Sequence, residues 1–530
     1  MKQLRNVITV GTTVMMMGSL LAACSSGTDK EQTSASTSTP ATSTQQASAT
    51  PKVEKKYKIR AMNILYGAAP PDTSTGKKAI EDRYNIEFDY LPVASGEYNN
   101  KMGVTLASGD VPDTVLFPYL DAVYFNAIGS DQFLPLESYL ADATKYPNLA
   151  KLPKDVMDTL KYKGHIYGIP RLRGIPGATL VMRKDWLDKL NLKVPTTYDE
   201  LYDVMKAFKE KDPDGNGKED TYGLAAGVNS GAGVNGAYPF VGLMASMKAG
   251  PSVGWVEDGK GGIVPGEFAP NNKTAIGYLA KLYKDGIIAK DFAIKKDQQV
   301  EDDFLLGKAG VVSNWGYTGF TPERLAKARA ADPKFDLIAI PPLKGPDGSE
   351  GGYVKGAGFF GVFSLSKDLL KDTGKLEKML KILDDQIGDD GANFFKWGVD
   401  GVHFKTENGQ KVVTDLGKTE GPNKYQLTNH ANEGEWILSS ADTPETTKLK
   451  QDSFTKAMQG KAYSSQDVGL YSKTYAEKGA ELYKNSVDGI VKIIVGEKPV
   501  DYLDQLFEDW KARGGKDALT EMNDAWKARK

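Results

Sequence analysis

Residues 212–223 read DPDGNGKEDTYG. With Asp212 as position one, oxygen-bearing side chains fall at Asp212, Asp214, Asn216 and Asp220, and the carbonyl of Lys218 takes position seven. Gly217 takes position six, where a calcium loop turns sharply, and oxygens in this order suit a hard cation. Position twelve is Gly223, where an EF-hand loop carries glutamate. The same residue types also build an Asx/Gly turn at a helix end, so the spacing leaves two readings open.

Other chemistry is sparse. Histidine occurs only at His165, His403 and His430, and no H-E-x-x-H string exists. That argues against a zinc hydrolase and leaves a Ser–His–Asp triad three possible bases. The G-x-S-x-G string at 250–254 has Pro251 before Ser252 and a glycine-rich run after it. A nucleophile elbow needs a strand and a helix there, so a surface turn is expected. The P-loop-like string GWVEDGKG (254–261) ends in glycine instead of Ser or Thr and also reads as a turn. GAGVNG (231–236) and GAGFFG (356–361) do not open a helix after a strand, and the second runs into strand-like VFSLS. Carboxylates abound, which keeps a paired-carboxylate glycosidase as an alternative, but no local pattern selects a pair.

The amino-terminal residues bear on compartment. Lys2 and Arg5 precede an apolar run, 7–20, that is short for a membrane span. LAAC (21–24) follows and resembles the lipobox of bacterial lipoproteins. Residues 1–23 are therefore expected to be a signal peptide, and Cys24, the one cysteine, the lipidation site. Residues 24–56 are mostly Ser, Thr, Ala, Gln and Pro, too polar to offset their ordering entropy. A flexible tether of this length reaches roughly 30 Å. The chain has 530 residues and a net charge of −2, which gives no electrostatic footprint for nucleic acid.

The body alternates strand and helix. YKIRAMNIL (57–65), IEFDYLPV (86–93) and VPDTVLF (111–117) read as strands, with helices in TGKKAIEDRYN and YNNKMGVTLASGD between them. That alternation predicts an α/β domain with parallel pairing. Residues 178–183 and 309–313 read as further strands. Thr196 or Thr197 caps a helix with Glu200 in capping-box spacing, and Leu201, Val204, Met205 and Phe208 form its apolar stripe. The candidate calcium loop begins where this helix ends. Later helices are expected at 274–285, 300–306, 323–330, 376–387 and 446–459. Tyr502, Leu506, Phe507 and Trp510 share one face of a last pair of helices, and Trp186 and Trp510 read as core.

Seven strings spread over the body carry a family resemblance. They are LASGDVPDTVLF, GHIYGIPR, RKDWLDKLNLKVPTTYDEL, DPDGNGKEDTYGL, FLLGKAGVVSNWGY, WGVDGVHF and DWKARGGKDALTEMN. The chain resembles the extracellular solute-binding lipoproteins of bacterial ABC importers, in the large oligosaccharide-type branch similar to the alginate-binding proteins. The resemblance implies an α/β periplasmic-binding-protein fold of two discontinuous lobes around a ligand cleft. Lobe one is expected at 57–164 and 336–401, and lobe two at 165–335 and 402–530. It further implies a non-enzymatic monomer, lipid-anchored on the extracellular face of the cell membrane, that passes an oligosaccharide to permease subunits. Its relatives hold a structural Ca2+ at the same loop, with an acidic side chain at the position Thr221 occupies here.

Sugar rings suit aromatic planes fringed with polar groups, and strand-end loops of α/β lobes face the cleft. Trp315, with Asn314 and Tyr317, follows the strand at 309–313 and is the leading contact. Arg171, Arg173, Trp397, Trp436 and Tyr66 are the other candidates. A cell-surface glycosidase and a carbohydrate-binding sensory or adhesion module are the competing functions.

Overall fold

A computed structural model describes residues 55–65, 68–173, 180–228, 254–312, 319–345, 348, 350–429 and 437–529. Cys24 with its tether, Tyr66, Asn314, Trp315, Tyr317 and Trp436 lie outside the described residues. Lys55–Lys530 forms one compact unit, built on two sheets.

The first sheet contains β1 (Tyr57–Leu65), β2 (Ile86–Ala94), β3 (Thr114–Phe117), β4 (Ile169–Leu172) and β9 (Phe359–Leu365). Its order is β2-β1-β3-β9-β4. β1 pairs parallel with β2 and β3, as the strand–helix alternation predicts. β9 returns antiparallel between β3 and β4. The connecting helices are Thr75–Tyr84, where the Ser74 side chain caps Lys77 N, and Tyr98–Ser108, which stops at Gly109. Ile59, Met62, Val115, Phe117, Phe363 and Leu380 are among the residues of one continuous core around this sheet.

The second sheet contains β5 (Leu180–Arg183), β6 (Tyr222–Ala225), β7 (Ala309–Val312) and β8 (Leu337–Ile340), in the order β8-β5-β7-β6. Helix Tyr198–Glu210 packs on it. Its capping box forms as expected: Glu200 N donates to Thr197 Oγ1 at 3.2 Å, and the Glu200 carboxylate accepts from Thr197 N and Thr196 N. The predicted stripe of Leu201, Val204, Met205 and Phe208 is buried with Trp186. The sequence reading missed the long helix Lys473–Ile494. The last two helices, Tyr502–Trp510 and Lys516–Arg529, are joined through Lys511–Gly515, with Gly514 at φ 114° breaking the helical path. Trp510 is buried there with Trp255 and Trp526.

Three stretches pair elsewhere than the expected lobe limits put them. β4, expected in lobe two, pairs with β9 in the first sheet. β8, expected in lobe one, pairs with β5 in the second. Residues 424–429, expected in lobe two, lie across the first sheet. Tyr90 of β2 donates to the Lys424 carbonyl, Asn63 of β1 to the Gln426 carbonyl, and Thr428 and Asn429 to the Pro170 and Leu172 carbonyls of β4. Hydrophobic pattern fixes strand type, not strand partner, so only the fold could place these three.

Candidate ligand cleft

Sheet register puts several strand ends on one edge. In the first sheet, Val362 of β9 faces Phe117 and Phe359 faces Leu172. The ends of β3 and β4 therefore lie beside the start of β9, with the ends of β1 and β2 alongside. In the second sheet, Val312 faces Val181 and Ile340 faces Leu180, while Val312 pairs with Ala225. Residues 173–179 and 341–358 thus run from the carboxyl-terminal edge of one sheet to the matching edge of the other. Ligands of α/β sheets bind outside this edge. A hollow of about 500 Å³, lined in part by Gly109, Val111, Gln132, Lys367 and Leu370, lies at the opposite end of the first sheet, beside the strand starts.

The rim of the first sheet is aromatic and basic. β9 carries a register shift between Phe359 and Val362. Gly361 sits there at φ 69°, where a Cβ would lie 2.3 Å from the Phe117 carbonyl oxygen. Only glycine tolerates that approach, and the bulge re-aims Phe360. The Arg173 guanidinium carbon stands 4.5 Å from the Phe360 ring centroid, and Tyr119 meets the same ring edge-on at 6.5 Å. Arg173 N donates to the Gly358 carbonyl at 2.8 Å, which fixes the residue against β9. Arg173 and Tyr119 are exposed and Phe360 is half-buried. Arg171, half-buried on β4, acts on Tyr90: burial pushes that phenol up to about 12, and the Arg171 charge opposes the shift.

The structure thus brings Arg171 and Arg173 to one rim. Tyr119 and Phe360 join them and were missed, although Phe360 lies in GAGFFG and Tyr119 two residues past a predicted strand end. Trp397 sits elsewhere, at the end of helix Asp389–Trp397, 6.1 Å from the Phe404 ring and 5.4 Å from Lys411 Nζ.

The candidate calcium loop is an Asx-rich turn. Asp212 Oδ1 accepts from Gly215 N and Asn216 N, and Oδ2 accepts from Gly217 N. Gly217 has φ 76°, which the turn requires. Asn216 Nδ2 donates to Asp214 Oδ2 at 2.7 Å and to Asp220 Oδ1 at 3.1 Å, so both carboxylates converge on one amide. The bond with Asp214 and these backbone donors hold the Asp212 carboxyl below its ordinary range, while burial pushes Asp214 up. Lys218 N donates to Asn216 Oδ1. Thr221 turns inward, its hydroxyl donating to the Phe208 carbonyl at 2.8 Å. Among the described residues no group of three or more His, Cys, Asp or Glu is arranged as a metal site.

The P-loop-like string resolves as structure. Trp255–Glu257 and Ile263–Pro265 form a hairpin, and Asp258 Oδ1 accepts from Lys260 N and Gly262 N in its turn, so the P-loop-like string cradles its own aspartate. Residues 231–236 and 250–253 lie outside the described residues. His403 is buried and accepts at Nδ1 from Val399 N, which leaves its Nε2 as donor to Thr75 Oγ1, 3.0 Å away. A base needs the opposite arrangement. His165 is exposed beside Glu137.

The family model described as bacterial extracellular solute-binding protein matches residues 77–376. The chain is 31% identical over 522 residues to the polygalacturonan/rhamnogalacturonan-binding protein YtcQ of Bacillus subtilis, covering 98% of each chain. The chain belongs to the bacterial extracellular solute-binding protein family. It is a binding protein, not an enzyme, and its fold is the two-lobed periplasmic-binding-protein fold. Lipoprotein LipO of B. subtilis is 30% identical over 478 residues, 88% of this chain and 91% of LipO. The fructooligosaccharide ABC transporter substrate-binding protein FusA of Streptococcus pneumoniae is 27% identical over 262 residues, 45% of this chain and 46% of FusA. Among solved structures, an extracellular solute-binding protein of Bifidobacterium longum subsp. infantis superposes with a TM-score of 0.68 at 19% identity, over 91% of this chain and 100% of that one. The alginate-binding protein AlgQ2 without calcium ion gives 0.64 at 21% identity, over 89% and 98%. No helix among the described residues is long and apolar enough to cross a membrane.

Proposed function

We propose that the protein captures an oligosaccharide between its lobes and passes it to the permease subunits of an ABC importer. The observation carrying this reading is the edge-to-edge topology: two connections join the ligand-facing edges of both sheets, with Arg171, Arg173, Tyr119 and Phe360 on one of them. The names of YtcQ, FusA and AlgQ2 support a carbohydrate. Lobe one then comprises 57–172 and 359–429, and lobe two 180–340 and 437–530. A sugar touching both lobes favours their closed arrangement by its extra contacts. Trp315, three residues past β7, and Asn314 and Tyr317 beside it remain the proposed contacts from lobe two, with Tyr66 from lobe one and Trp436 from the segment 430–436 that follows it. Trp397, packed on Phe404, is the weakest of the set. Calorimetry against plant and microbial oligosaccharides, with chromatography of the recovered ligand, tests this. Binding with the sugar returned intact is expected, and Trp315→Ala should weaken it by ~1–3 kcal/mol, roughly ten- to a hundredfold. Cleaved sugar, or binding of peptides alone, would overturn the reading.

The loop at 212–220 is proposed to hold one structural Ca2+ through Asp212, Asp214, Asn216, Asp220 and the Lys218 carbonyl. Turning the Asn216 amide over would present its oxygen where Nδ2 now meets two carboxylates. Thr221, engaged with Phe208, would contribute only by releasing that bond. The anchor is proposed to be lipidated Cys24, which the name of LipO supports. Cys24→Ser should move the protein from the membrane fraction to the medium, and retention would refute the anchor. The protein is expected to act as a monomer, with no nucleic-acid partner.

A further inference from the structure

We infer that residues 466–472 form a fourth, non-covalent connection between the lobes and narrow the range over which they open. The inference goes beyond ligand capture and rests only on the lobe limits proposed above. The chain itself crosses between the lobes at 173–179, 341–358 and 430–436. Residues 466–472 belong to the lobe-two part of the chain, between strand Lys461–Ser464 and helix Lys473–Ile494. They are stitched to that lobe along their length. Gln466 N donates to the Trp255 carbonyl at 2.6 Å, and Trp255 N donates back to Asp467 Oδ1 at 3.2 Å. Arg529, at the end of the last helix, donates from Nη1 to the Val468 carbonyl and from Nη2 to the Gln466 carbonyl. Leu470 is buried with Trp255, Leu482 and Trp526. Ser472 Oγ donates to Glu521 Oε2 at 2.6 Å and accepts from Tyr475 N as the cap of Lys473–Ile494.

Tyr471, between Leu470 and Ser472, packs on the other lobe. Its ring centroid lies 5.1 Å from that of Phe125, a buried member of the core around the first sheet, and Phe125 in turn meets Tyr162 at 4.9 Å. Gly469 has φ 78° and passes the carbonyl of Thr159, the last residue of helix Lys154–Thr159, so closely that a Cβ would collide with it. Two neighbours in one short segment, Leu470 and Tyr471, thus enter the cores of different lobes. Packed interiors resist displacement, so this segment resists separation of the lobes at this point. The contact also lies beside a chain crossing. Strand Gly352–Lys355, within the crossing 341–358, pairs parallel with Lys461–Ser464, which leads into the segment. At the end of that crossing, a Cβ on Gly358 would lie 2.8 Å from Cγ2 of Val156, on the helix that ends at Thr159. Points near a hinge axis move least, so a packed contact there persists while the distant rims travel. A ligand that closes the lobes then has fewer open arrangements to order, which lowers its entropic cost.

The test measures the interlobe distance without any ligand, so its outcome is independent of what the cleft binds. Lys101→Cys on helix Tyr98–Ser108 and Lys206→Cys on helix Tyr198–Glu210, both exposed, carry spin labels in the full Cys24→Ser chain. The distance distribution is read by electron–electron double resonance. Tyr471→Ala should broaden it about twofold, because the contact that limits the hinge is gone, and small-angle scattering should show a larger radius of gyration. Tyr471→Phe keeps the ring and should leave the distribution narrow. Gly469→Ala, which forces the segment off Thr159, should broaden it as well and carries the test if Tyr471→Ala does not fold. A distribution unchanged in the folded Ala variants would show that Tyr471 only fills space, and would overturn the inference. Broadening in Tyr471→Phe as large as in Tyr471→Ala would overturn it too, since the ring contact survives there.

Discussion

Asp212 lies on a surface loop where three backbone N–H groups point at its carboxylate, and Asp214 and Asp220 share the Asn216 amide nearby. Glu267 lies in the interior, 3% exposed, with Oε1 left without a hydrogen-bond partner and the half-buried Asp467 close enough to act on it. Burial pushes Glu267 up to about 7 and raises Asp467 as well, while hydrogen-bond donors hold Asp212 down. Donors and water make a carboxylate comfortable as an anion, and an apolar wall makes it comfortable as an acid. The first group is held as an anion. The second is a stability term that depends on pH. Its surroundings are Trp255, Tyr475, Ser486 and Arg529, the last acting on Asp467.

The largest expected effect lies on the buried side, at Glu267. The folded state raises the Glu267 pKa, so its stabilising contribution is complete below the ordinary carboxyl range and is lost as pH rises through about 7. The melting temperature should therefore fall between about pH 5 and about pH 8. Glu267→Gln should flatten that slope and stabilise the protein by roughly 3 kcal/mol at the alkaline end. An unchanged slope in thermal scans would mean that the carboxylate reaches water.

Next in size is the loop. Calcium at a hundred times its dissociation constant should stabilise the body by about 2.7 kcal/mol, and a chelator should reverse this. Asp214→Ala should abolish the response without altering sugar affinity. An anomalous-scattering map at millimolar calcium with no peak among Asp212, Asp214 and Asp220 would sink the site. A smaller change separates the loop from the helix that leads into it. Thr197→Ala removes the capping box and should cost about 1 kcal/mol in urea denaturation, with the calcium response retained. The smallest is Lys189→Ala. Lys189 Nζ donates to the Asp212 carbonyl at 3.2 Å on the surface, and its loss should stay within about 0.5 kcal/mol. A larger loss would show that this contact, and not the backbone donors, holds the loop.

Sequence alone determined local things. The order of Asp212, Asp214, Asn216, Gly217 and Asp220 dictated a tight oxygen-rich turn, because Asx side chains and glycine act within a few residues. Thr197 and Glu200 determined where the helix before it starts, since capping is a contact over three residues. The strands read at 57–65 and 86–93 and their parallel pairing followed from alternation of element types. Partnership over long distances was decided only by tertiary structure. Nothing in IPRL or LIAI marks which sheet each strand joins, because both are short, mainly apolar segments, and such a strand looks alike in any sheet. The meeting of Arg173 with Phe360 spans 187 positions and needs the Gly361 bulge, β9's return between β3 and β4, and β4's place at the sheet edge. The approach of Glu267 to Asp467, 200 positions later in the chain, is the same kind of fact. Charge types were written in the chain, but their burial, and so their protonation, came from packing between segments far apart in sequence.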